Sequence, residues 1–254
     1  MKGFFKFILN TIPRPLLIKV SYWVRPLISF YLKGTTYTDP IDGKSFREFL
    51  PYGYGKQRSN ALSPSTFSLE RHRLLWLYLK NETTFFTSTK KVLHIAPEQC
   101  FLKQFKALSN LDYITADLNS PIADVKADIC DLPFKENTFD IILCNHVLEH
   151  IENDKKAMSE LFRVLKPEGM GIFQVPQDLN REKTYEDITI TSPEERTKHF
   201  GQYDHVRIYG KDYFDKLRTV GFTVNEIDYS STLPNNLIEK YCLVKGEILP
   251  VCFK

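Results

Sequence analysis

Two stretches decide the fold, KVLHIAPEQC at 91–100 and YITADL at 113–118. In the first, an apolar run ends at Pro97 and a helical pattern follows; in the second, a short strand ends at Asp117. In a doubly wound sheet the first strand-to-helix turn faces a nucleotide cofactor, and an acid at the tip of the second strand holds both ribose hydroxyls. The two stretches therefore predict the first half of a nucleotide-cofactor site.

The first turn lacks the glycines that such a site usually carries. Glycine lets the backbone adopt a positive φ and approach the cofactor closely, whereas His94, Ala96, Glu98 and Cys100 stand in its place. Pro97 removes a backbone donor and fixes φ, and Glu98 adds a negative charge. Two interpretations stay open: an alternative way of binding the same cofactor, or the remnant of a lost activity.

From Lys90 onward, strand and helix patterns alternate, which is typical of a parallel sheet covered by helices on both faces. We predict helices near residues 99–108, 154–165 and 211–220. Seven strands are predicted, at residues 92–96, 113–116, 124–127, 140–144, 171–175, 222–228 and 242–253. Only a loop is expected between the last two, so they should pair antiparallel. The predicted class is α/β, with a Rossmann-like seven-stranded sheet that is mostly parallel and has one antiparallel strand.

Three regions are predicted: a basic amphipathic segment at 1–38, an insert and helix at 39–80, and the α/β domain at 81–254. Residues 1–38 carry six basic side chains and no acid, although the whole chain of 254 residues has a net charge of only +3. Charges and prolines interrupt the apolar runs of this segment, so it does not resemble a transmembrane span. It could cap the domain or lie peripherally at a membrane surface. Five cysteines without a C-x-x-C pair indicate a reduced, cytoplasmic protein.

Five motifs in order resemble the class I S-adenosylmethionine-dependent methyltransferases: VLHIAPE (92–98), ITADL (114–118), ADICDLPF (127–134), FDIILCNHVLEHI (139–151) and ELFRVLKPEGMGIFQVP (160–176). The resemblance implies S-adenosylmethionine as cofactor and S-adenosylhomocysteine as product. It places Asp117 at the ribose, Asp128 at the adenine amino group with Ile129 packing beside it, and Asn145 and His146 near the methionine moiety. The full set of implied cofactor-binding residues is His94, Ala96, Pro97, Glu98, Asp117, Leu118, Asp128, Ile129, Asn145 and His146.

The polar segment at 177–210 is too long to be a simple connection, and loops of this length usually carry function. A hydroxyl acceptor needs a base to remove its proton. We predict His205 and His146 as the catalytic residues, and expect His150 to have a packing or capping role. Substrate-binding residues are expected within the same segment, namely His199, Asp204, Arg207 and Tyr209. The alternative for this segment is a solvent-facing loop crossed by salt bridges.

The insert resembles a zinc ribbon that has lost its cysteines, because DPIDG at 39–43 and SPST at 63–66 resemble its two knuckles. Aspartate, serine and threonine are poor zinc ligands. We therefore expect a ribbon-like fold there and no metal in the protein.

The leading hypothesis is a methyltransferase that acts on a small polar, sugar-type or lipid-type acceptor. The alternatives are a non-catalytic scaffold with the same fold and a nicotinamide-dependent reductase, against which the glycine-free turn and the final strand pair count. Nucleic-acid binding is not expected, because the basic residues at the N-terminus are interleaved with an apolar content that suits lipid or core.

Overall fold

The computed structural model describes residues 14–53 and 57–254, with side chains from Trp23 onward. The chain divides into two compact units. The first unit contains the chain up to Thr83 together with Gln99–Phe101 and Ser230–Glu247, and the second contains Thr84–Glu98, Leu102–Tyr229 and Ile248–Lys254.

Seven helices and thirteen strands are formed within the described residues. The helices are α1 (Arg14–Tyr31), α2 (Glu70–Asn81), α3 (Gln99–Lys106), α4 (Asp154–Val164), α5 (Pro193–Phe200), α6 (Tyr213–Thr219) and α7 (Asn235–Lys240). The strands are β1 (Lys33–Thr38), β2 (Ser45–Phe46), β3 (Leu50–Tyr52), β4 (Arg58–Leu62), β5 (Lys90–Ile95), β6 (Leu111–Asp117), β7 (Val125–Lys126), β8 (Phe139–Cys144), β9 (Leu165–Ile172), β10 (Tyr185–Glu186), β11 (Arg207–Ile208), β12 (Thr223–Ile227) and β13 (Leu249–Phe253). Two short 3₁₀ helices lie at Leu148–His150 and Tyr229–Thr232.

The second unit is built on one seven-stranded sheet with the order β12-β13-β9-β8-β5-β6-β7. β13 runs antiparallel to both of its neighbours, and the pairs formed by β5, β6, β7, β8 and β9 are parallel. The predicted fold class, a mostly parallel α/β sheet with one antiparallel strand, is therefore confirmed.

The apolar core of this unit lies against the central strands. β5 and β8 are buried along most of their length, as expected for parallel strands with both faces covered. α4 packs Met158 and Leu161 into this core. The Asn153 side chain caps α4 by accepting a hydrogen bond from the Lys156 backbone amide, which confirms the predicted start of this helix.

Two predicted boundaries near the end of the sheet were wrong. The strand predicted at 171–175 begins earlier, as β9 at Leu165, where Glu168 takes a φ of 60° and the register with β8 shifts. The last strand begins at Leu249 and not at Cys242, and the connection before it, expected to be only a loop, contains a 3₁₀ helix and α7. The predicted antiparallel pairing with β12 is confirmed.

The polar segment at 177–210 is more regular than expected. It contains β10 and β11, which pair antiparallel, and α5 between them. Ser192 accepts a hydrogen bond from the Glu195 amide, Pro193 opens the helix, and Gly201 ends it at a φ of 83°. This Ser-Pro start and glycine stop are ordinary helix signals that the sequence interpretation missed.

In the first unit, α1 leads into two small antiparallel sheets, β1-β2 and β3-β4. Among the described residues, no helix has the length and apolar content that crossing a bilayer requires. The five cysteines are free.

The two knuckle-like sequences of the insert meet through one buried carboxylate. The Asp39 Oδ2 atom accepts hydrogen bonds from Thr66 Oγ1 at 2.5 Å and from Ser68 Oγ at 3.1 Å, and Oδ1 accepts from the Ile41 amide. Asp39 is fully buried. A carboxylate that receives three hydrogen bonds holds the two turns together here; the relationship to a zinc ribbon stays a prediction.

Replacing Asp39 by alanine should destabilise the first unit. The change removes an acceptor and leaves three buried donors without their partner, which should cost about 2–4 kcal/mol. Asp42→Ala is the matched control, because Asp42 accepts only from the Lys44 amide and lies 3.5 Å from the Lys44 ammonium group at the surface, and it should cost less than about 1 kcal/mol. Urea unfolding of both variants measures the difference; equal losses would contradict the assigned role of Asp39.

Candidate active site

The carboxyl ends of three parallel strands bring the predicted cofactor residues together. Ile95 at the end of β5 pairs with Ala116 of β6 on one side and with Cys144 of β8 on the other. The next residues along the three chains, Ala96, Asp117 and Asn145, therefore lie side by side at one edge of the sheet. Ligands of open α/β sheets bind at this edge.

The first turn adopts the conformation that glycine usually supplies. Ala96 has a φ of 48°, in the left-handed region that costs a non-glycine residue roughly 1–2 kcal/mol. The Ala96 amide donates to the Ala116 carbonyl at 2.8 Å. The backbone therefore makes the required turn in spite of its side chain, and α3 begins three residues later.

Glu98 is tied to the strand before the turn. The Nε2 atom of His94 lies 2.5 Å from Glu98 Oε2, and Nδ1 lies 2.7 Å from the Tyr113 hydroxyl. The His94 side chain is 0% exposed, so its ring is not placed to contact a cofactor. The prediction of His94 as a cofactor-binding residue is corrected: it is a positioning residue that fixes the turn through Glu98.

The acids near the ends of β6 and β7 each accept hydrogen bonds from backbone amides of the loop that follows the strand. Asp117 Oδ1 accepts from the Asn119 and Ser120 amides at 2.7 and 2.5 Å. Asp128 Oδ1 accepts from the Cys130 amide at 2.8 Å. In both cases the carboxylate keeps acceptor capacity on its second oxygen. Leu118 is exposed, whereas Ile129 is buried and packs in the apolar core.

Asn145 carries the clearest sign that this edge receives a polar ligand. Its side chain is 4% exposed, and neither its amide nitrogen nor its amide oxygen has a hydrogen-bond partner among the described residues. Buried amides are normally paired, because an unmade hydrogen bond costs about 1–3 kcal/mol. The Asn145 amide offers a donor and an acceptor side by side, so it could donate to the carboxylate and accept from the ammonium group of an amino acid. The methionine moiety of S-adenosylmethionine fits this requirement, and Asp117 fits its ribose.

A group of ionisable side chains follows Asn145. Glu149 Oε1 lies 3.4 Å from His146 Nδ1. The rings of His150 and His205 lie 4.7 Å apart at their centroids and are nearly perpendicular, at 82°. Burial lowers the pKa of His205, so its imidazole is neutral at pH 7. We call Glu149, His150 and His205 the Glu–His–His cluster, with His146 beside it.

The sequence interpretation placed His146 and His205 in the site but overlooked Glu149 and treated His150 as a packing residue. The signal was present in the HVLEH segment at 146–150. Its three ionisable residues are brought to one place because the chain leaves β8, turns at His146 with a φ of 55° and enters a 3₁₀ helix.

Two predicted substrate-binding residues are structural, and those predictions are corrected. The Arg207 guanidinium is buried and donates to the Leu148, Ile151 and Glu152 carbonyls and to the Glu186 carboxylate. The Tyr209 hydroxyl is buried and donates to Asp154 at 2.9 Å, and burial raises the pKa of Tyr209 well above its usual value. Four of the five N–H donors of Arg207 and the only hydroxyl proton of Tyr209 are used within the protein, so both side chains have structural roles.

The other two predicted substrate-binding residues, His199 and Asp204, are partly exposed. His199 Nδ1 lies 2.8 Å from the Tyr185 hydroxyl, and His199 Nε2 lies 3.3 Å from Glu195. Asp204 Oδ1 accepts from Gln202 Nε2, and its Oδ2 lies 3.5 Å from His150 Nδ1. Asp204 thus borders the Glu–His–His cluster, whereas the contacts of His199 lie on β10 and α5.

Comparison with known proteins agrees with this geometry. Residues 81–173 match the family model described as a methyltransferase domain. An uncharacterised protein of Methanocaldococcus jannaschii is 46% identical over 66 residues, which are 25% of this chain and 29% of the relative. The mitochondrial arginine-hydroxylase NDUFAF5 of Danio rerio is 37% identical over 75 residues, with coverages of 30% and 23%. The ubiquinone/menaquinone biosynthesis C-methyltransferase of Blochmanniella pennsylvanica is 35% identical over 78 residues, with coverages of 31% and 26%.

Residues 81–173 thus form a methyltransferase domain of the class I S-adenosylmethionine-dependent family, as the motifs predicted. The matched stretches span only 23–29% of the length of these relatives. Among solved structures, a sarcosine dimethylglycine methyltransferase from Galdieria sulphuraria is 16% identical, with a TM-score of 0.48 and coverages of 83% of this chain and 75% of that one.

Replacing Ala96 by glycine should stabilise the protein slightly. Glycine relieves the left-handed strain of roughly 1–2 kcal/mol and costs roughly 0.5–1 kcal/mol of backbone entropy, which leaves a net gain of about 0.5–1 kcal/mol. Ala107→Gly is the matched control, because Ala107 has a right-handed φ of −84° and glycine there should only destabilise. Denaturant unfolding of the pair checks the sign; a loss at Ala96 equal to that at Ala107 would show that the turn is not strained.

Proposed function

We propose that the protein transfers a methyl group from S-adenosylmethionine to a small acceptor. The observation that carries this proposal is the buried amide of Asn145, which has no hydrogen-bond partner among the described residues and lies across Ala96 from Asp117 at the carboxyl edge of a methyltransferase sheet. When bound there, S-adenosylmethionine supplies an activated methyl group, whose transfer depends mainly on alignment and exclusion of water.

Different residues at the carboxyl edge of the sheet bind different parts of the cofactor. Asp117 accepts from the ribose hydroxyls with its second carboxylate oxygen, and Asp128 accepts from the adenine amino group. Ile129 packs beside the adenine. The backbone of the turn at Ala96, held by the His94–Glu98 contact, passes beside the methionine moiety, and Asn145 binds its polar groups. Each of these tasks needs only backbone or side-chain groups that the fold already holds in place.

The acceptor proton goes to an imidazole. His146 and His205 are the two candidates for the base, and Glu149 serves both: one of its oxygens lies 3.4 Å from His146 Nδ1, and its charge raises the pKa of His205 against the larger effect of burial. A neutral imidazole near pH 7 is well suited to take a proton from a hydroxyl.

The exposed apolar face of α1 suggests that the protein binds a membrane surface and finds its acceptor there. Trp23, Leu27, Phe30 and Tyr31 recur at the spacing of one helix face, and they are strongly exposed, with Trp23 and Phe30 at 82%. Residues 1–38 contribute six positive charges and no negative one. Aromatic side chains with basic neighbours bind the interface of an anionic bilayer. We therefore propose peripheral contact with anionic lipid and a lipid-linked or sugar-type acceptor, rather than one free in solution.

A non-catalytic scaffold is the competing function, and cofactor binding separates the two. Titration calorimetry should show S-adenosylhomocysteine binding in the micromolar range. Asp117→Ala should weaken binding about 10- to 100-fold, because hydrogen bonds to a charged group are worth about 1.5–3 kcal/mol. Asp117→Asn keeps an oxygen for the Asn119 and Ser120 amides, so it tests the ribose contact without opening the loop.

Asp112→Ala is the matched control for this titration. Asp112 is an exposed acid near the opposite end of the same strand, where it pairs with Lys91, and its loss should leave affinity unchanged. If the wild-type protein does not bind S-adenosylhomocysteine, the proposed enzymatic function is refuted and the non-catalytic scaffold remains.

Membrane contact is tested with vesicles of phosphatidylglycerol and of phosphatidylcholine. We expect co-sedimentation with the anionic vesicles only, weakened by salt because the attraction of basic residues to lipid is screened. Replacing both Trp23 and Phe30 by alanine should reduce binding at least about 10-fold. Ile188→Ala, which removes another strongly exposed apolar side chain, is the control. Equal binding of the double variant and the control would overturn the membrane role of α1.

A further inference from the structure

The Glu–His–His cluster has the composition of a metal site. One carboxylate oxygen of Glu149 and one ring nitrogen each of His150 and His205 all lie within 4.8 Å of one another. A tetrahedral Zn²⁺ with its ligands at about 2.0–2.2 Å holds the ligand atoms about 3.2–3.6 Å apart, so side-chain rotations of up to about 1.5 Å would close the set around a cation. The two imidazole rings are nearly perpendicular, not stacked, which lets one nitrogen from each point to a common centre.

Glu149 and His150 are consecutive residues, His205 lies more than 50 residues later in the chain, and backbone contacts hold the two segments together. The Val206 amide donates to the Glu149 carbonyl at 2.9 Å. Arg207 adds its bonds to the carbonyls of the same 3₁₀ turn. The segment that carries His205 is therefore fixed against the turn that carries Glu149 and His150, which is the rigidity that a preformed ligand set needs.

Each histidine of the cluster has an oxygen partner for support. His150 Nδ1 lies 3.2 Å from the Asp204 carbonyl oxygen and 3.5 Å from Asp204 Oδ2. The His205 ring forms a hydrogen bond with the backbone of Phe200. Metal-binding histidines almost always make such a second bond to a carboxylate or carbonyl, which fixes the tautomer and the ring orientation.

Glu149 supplies an independent observation. Its side chain is buried, and among the described residues its Oε2 atom has no hydrogen-bond partner. A buried carboxylate that lacks a partner is costly unless a positive charge compensates it. A cation between Oε2 and the two imidazoles would remove that cost.

We propose that Glu149, His150 and His205 bind a divalent transition-metal cation of the Zn²⁺ type. Two imidazoles and one carboxylate are a recurring ligand set for such cations, with further positions left for water or substrate. This site replaces the expectation that the protein binds no metal. The site stands on its own geometry, and only its role in the reaction rests on the proposed methyl transfer.

In that role the cation would hold the acceptor oxygen and favour loss of its hydroxyl proton. His146, which is not part of the ligand set and lies beside Glu149, would take that proton. The acceptor oxygen would form the bond to the methyl carbon as the carbon–sulfur bond breaks, with the electron pair staying on sulfur in S-adenosylhomocysteine. Because His205 would be a ligand, His146 would be the base.

The test is titration of the full-length, chelator-treated protein with ZnCl₂ by calorimetry and with CoCl₂ by visible absorption. We expect one equivalent of Zn²⁺ at micromolar affinity or tighter, and a cobalt spectrum with d–d bands. His150→Ala, His205→Ala and Glu149→Gln should each weaken Zn²⁺ binding at least about 10-fold. His199→Ala should leave it unchanged, although His199 also has a carboxylate neighbour in Glu195. Wild-type protein that binds no cation, or equal losses in His199→Ala and His205→Ala, would overturn the site.

Binding of S-adenosylhomocysteine to the same variants separates this proposal from the preceding one. Unchanged affinity in His205→Ala and Glu149→Gln shows that each variant is folded and that its lost Zn²⁺ binding is local. Zn²⁺ binding without any S-adenosylhomocysteine binding would retain the metal site and refute the methyl transfer. If a variant fails to fold, Asp204→Ala takes its place; it removes the carboxylate 3.5 Å from His150 Nδ1 together with the hydrogen bond from Gln202, and it should weaken Zn²⁺ binding measurably.

Discussion

Ile95 pairs in parallel register with Ala116 on one side and with Cys144 on the other, and every feature of the candidate site depends on this double pairing. A slip of one residue would turn each following side chain to the opposite face of the sheet. Asp117 and Asn145 would then no longer lie beside the first turn. The register is strongly specified because β5 and β8 are buried almost throughout, so a slip would also bury the wrong side chains.

The first turn shows how a chain without glycine meets a demand that glycine usually meets. Ala96 takes the left-handed conformation, and the surrounding structure has to overcome its strain. His94 provides part of that compensation, since its two ring nitrogens link Tyr113 on the neighbouring strand to Glu98 at the start of α3. In a water-free interior such linked hydrogen bonds are strong. The glycine-free sequence thus forms the same turn with other residues. The missing glycines therefore do not prevent the backbone conformation that the cofactor site requires.

The sequence was most informative where local pattern and position coincide. Strand ends followed by Asp117, Asp128 and Asn145 could be predicted because parallel strands bring their carboxyl ends to one edge. His94 was misplaced because the alternation of side chains that points it into the interior depends on the exact strand register. Arg207 was mistaken for a substrate clamp because its acceptors are the carbonyls of a turn more than 50 residues earlier, and backbone acceptors leave no trace in the sequence.

The corrected role of Arg207 changes how the segment at 177–210 should be understood. The Arg207 guanidinium donates hydrogen bonds to three carbonyls and one carboxylate, and these bonds act as a brace that holds β11 against the 3₁₀ turn after β8. The brace brings His205, two residues earlier, to Glu149 and His150, so a residue that binds no substrate decides the geometry of those that carry the chemistry. Glu149 is a buried carboxylate with imidazoles as its neighbours, and burying a charged group is unfavourable unless it is paired. Its position is understandable if a positive charge completes the site. The groups that bind the cofactor and those that activate the acceptor would then meet where the chain leaves β8, with His205 brought there from the later segment.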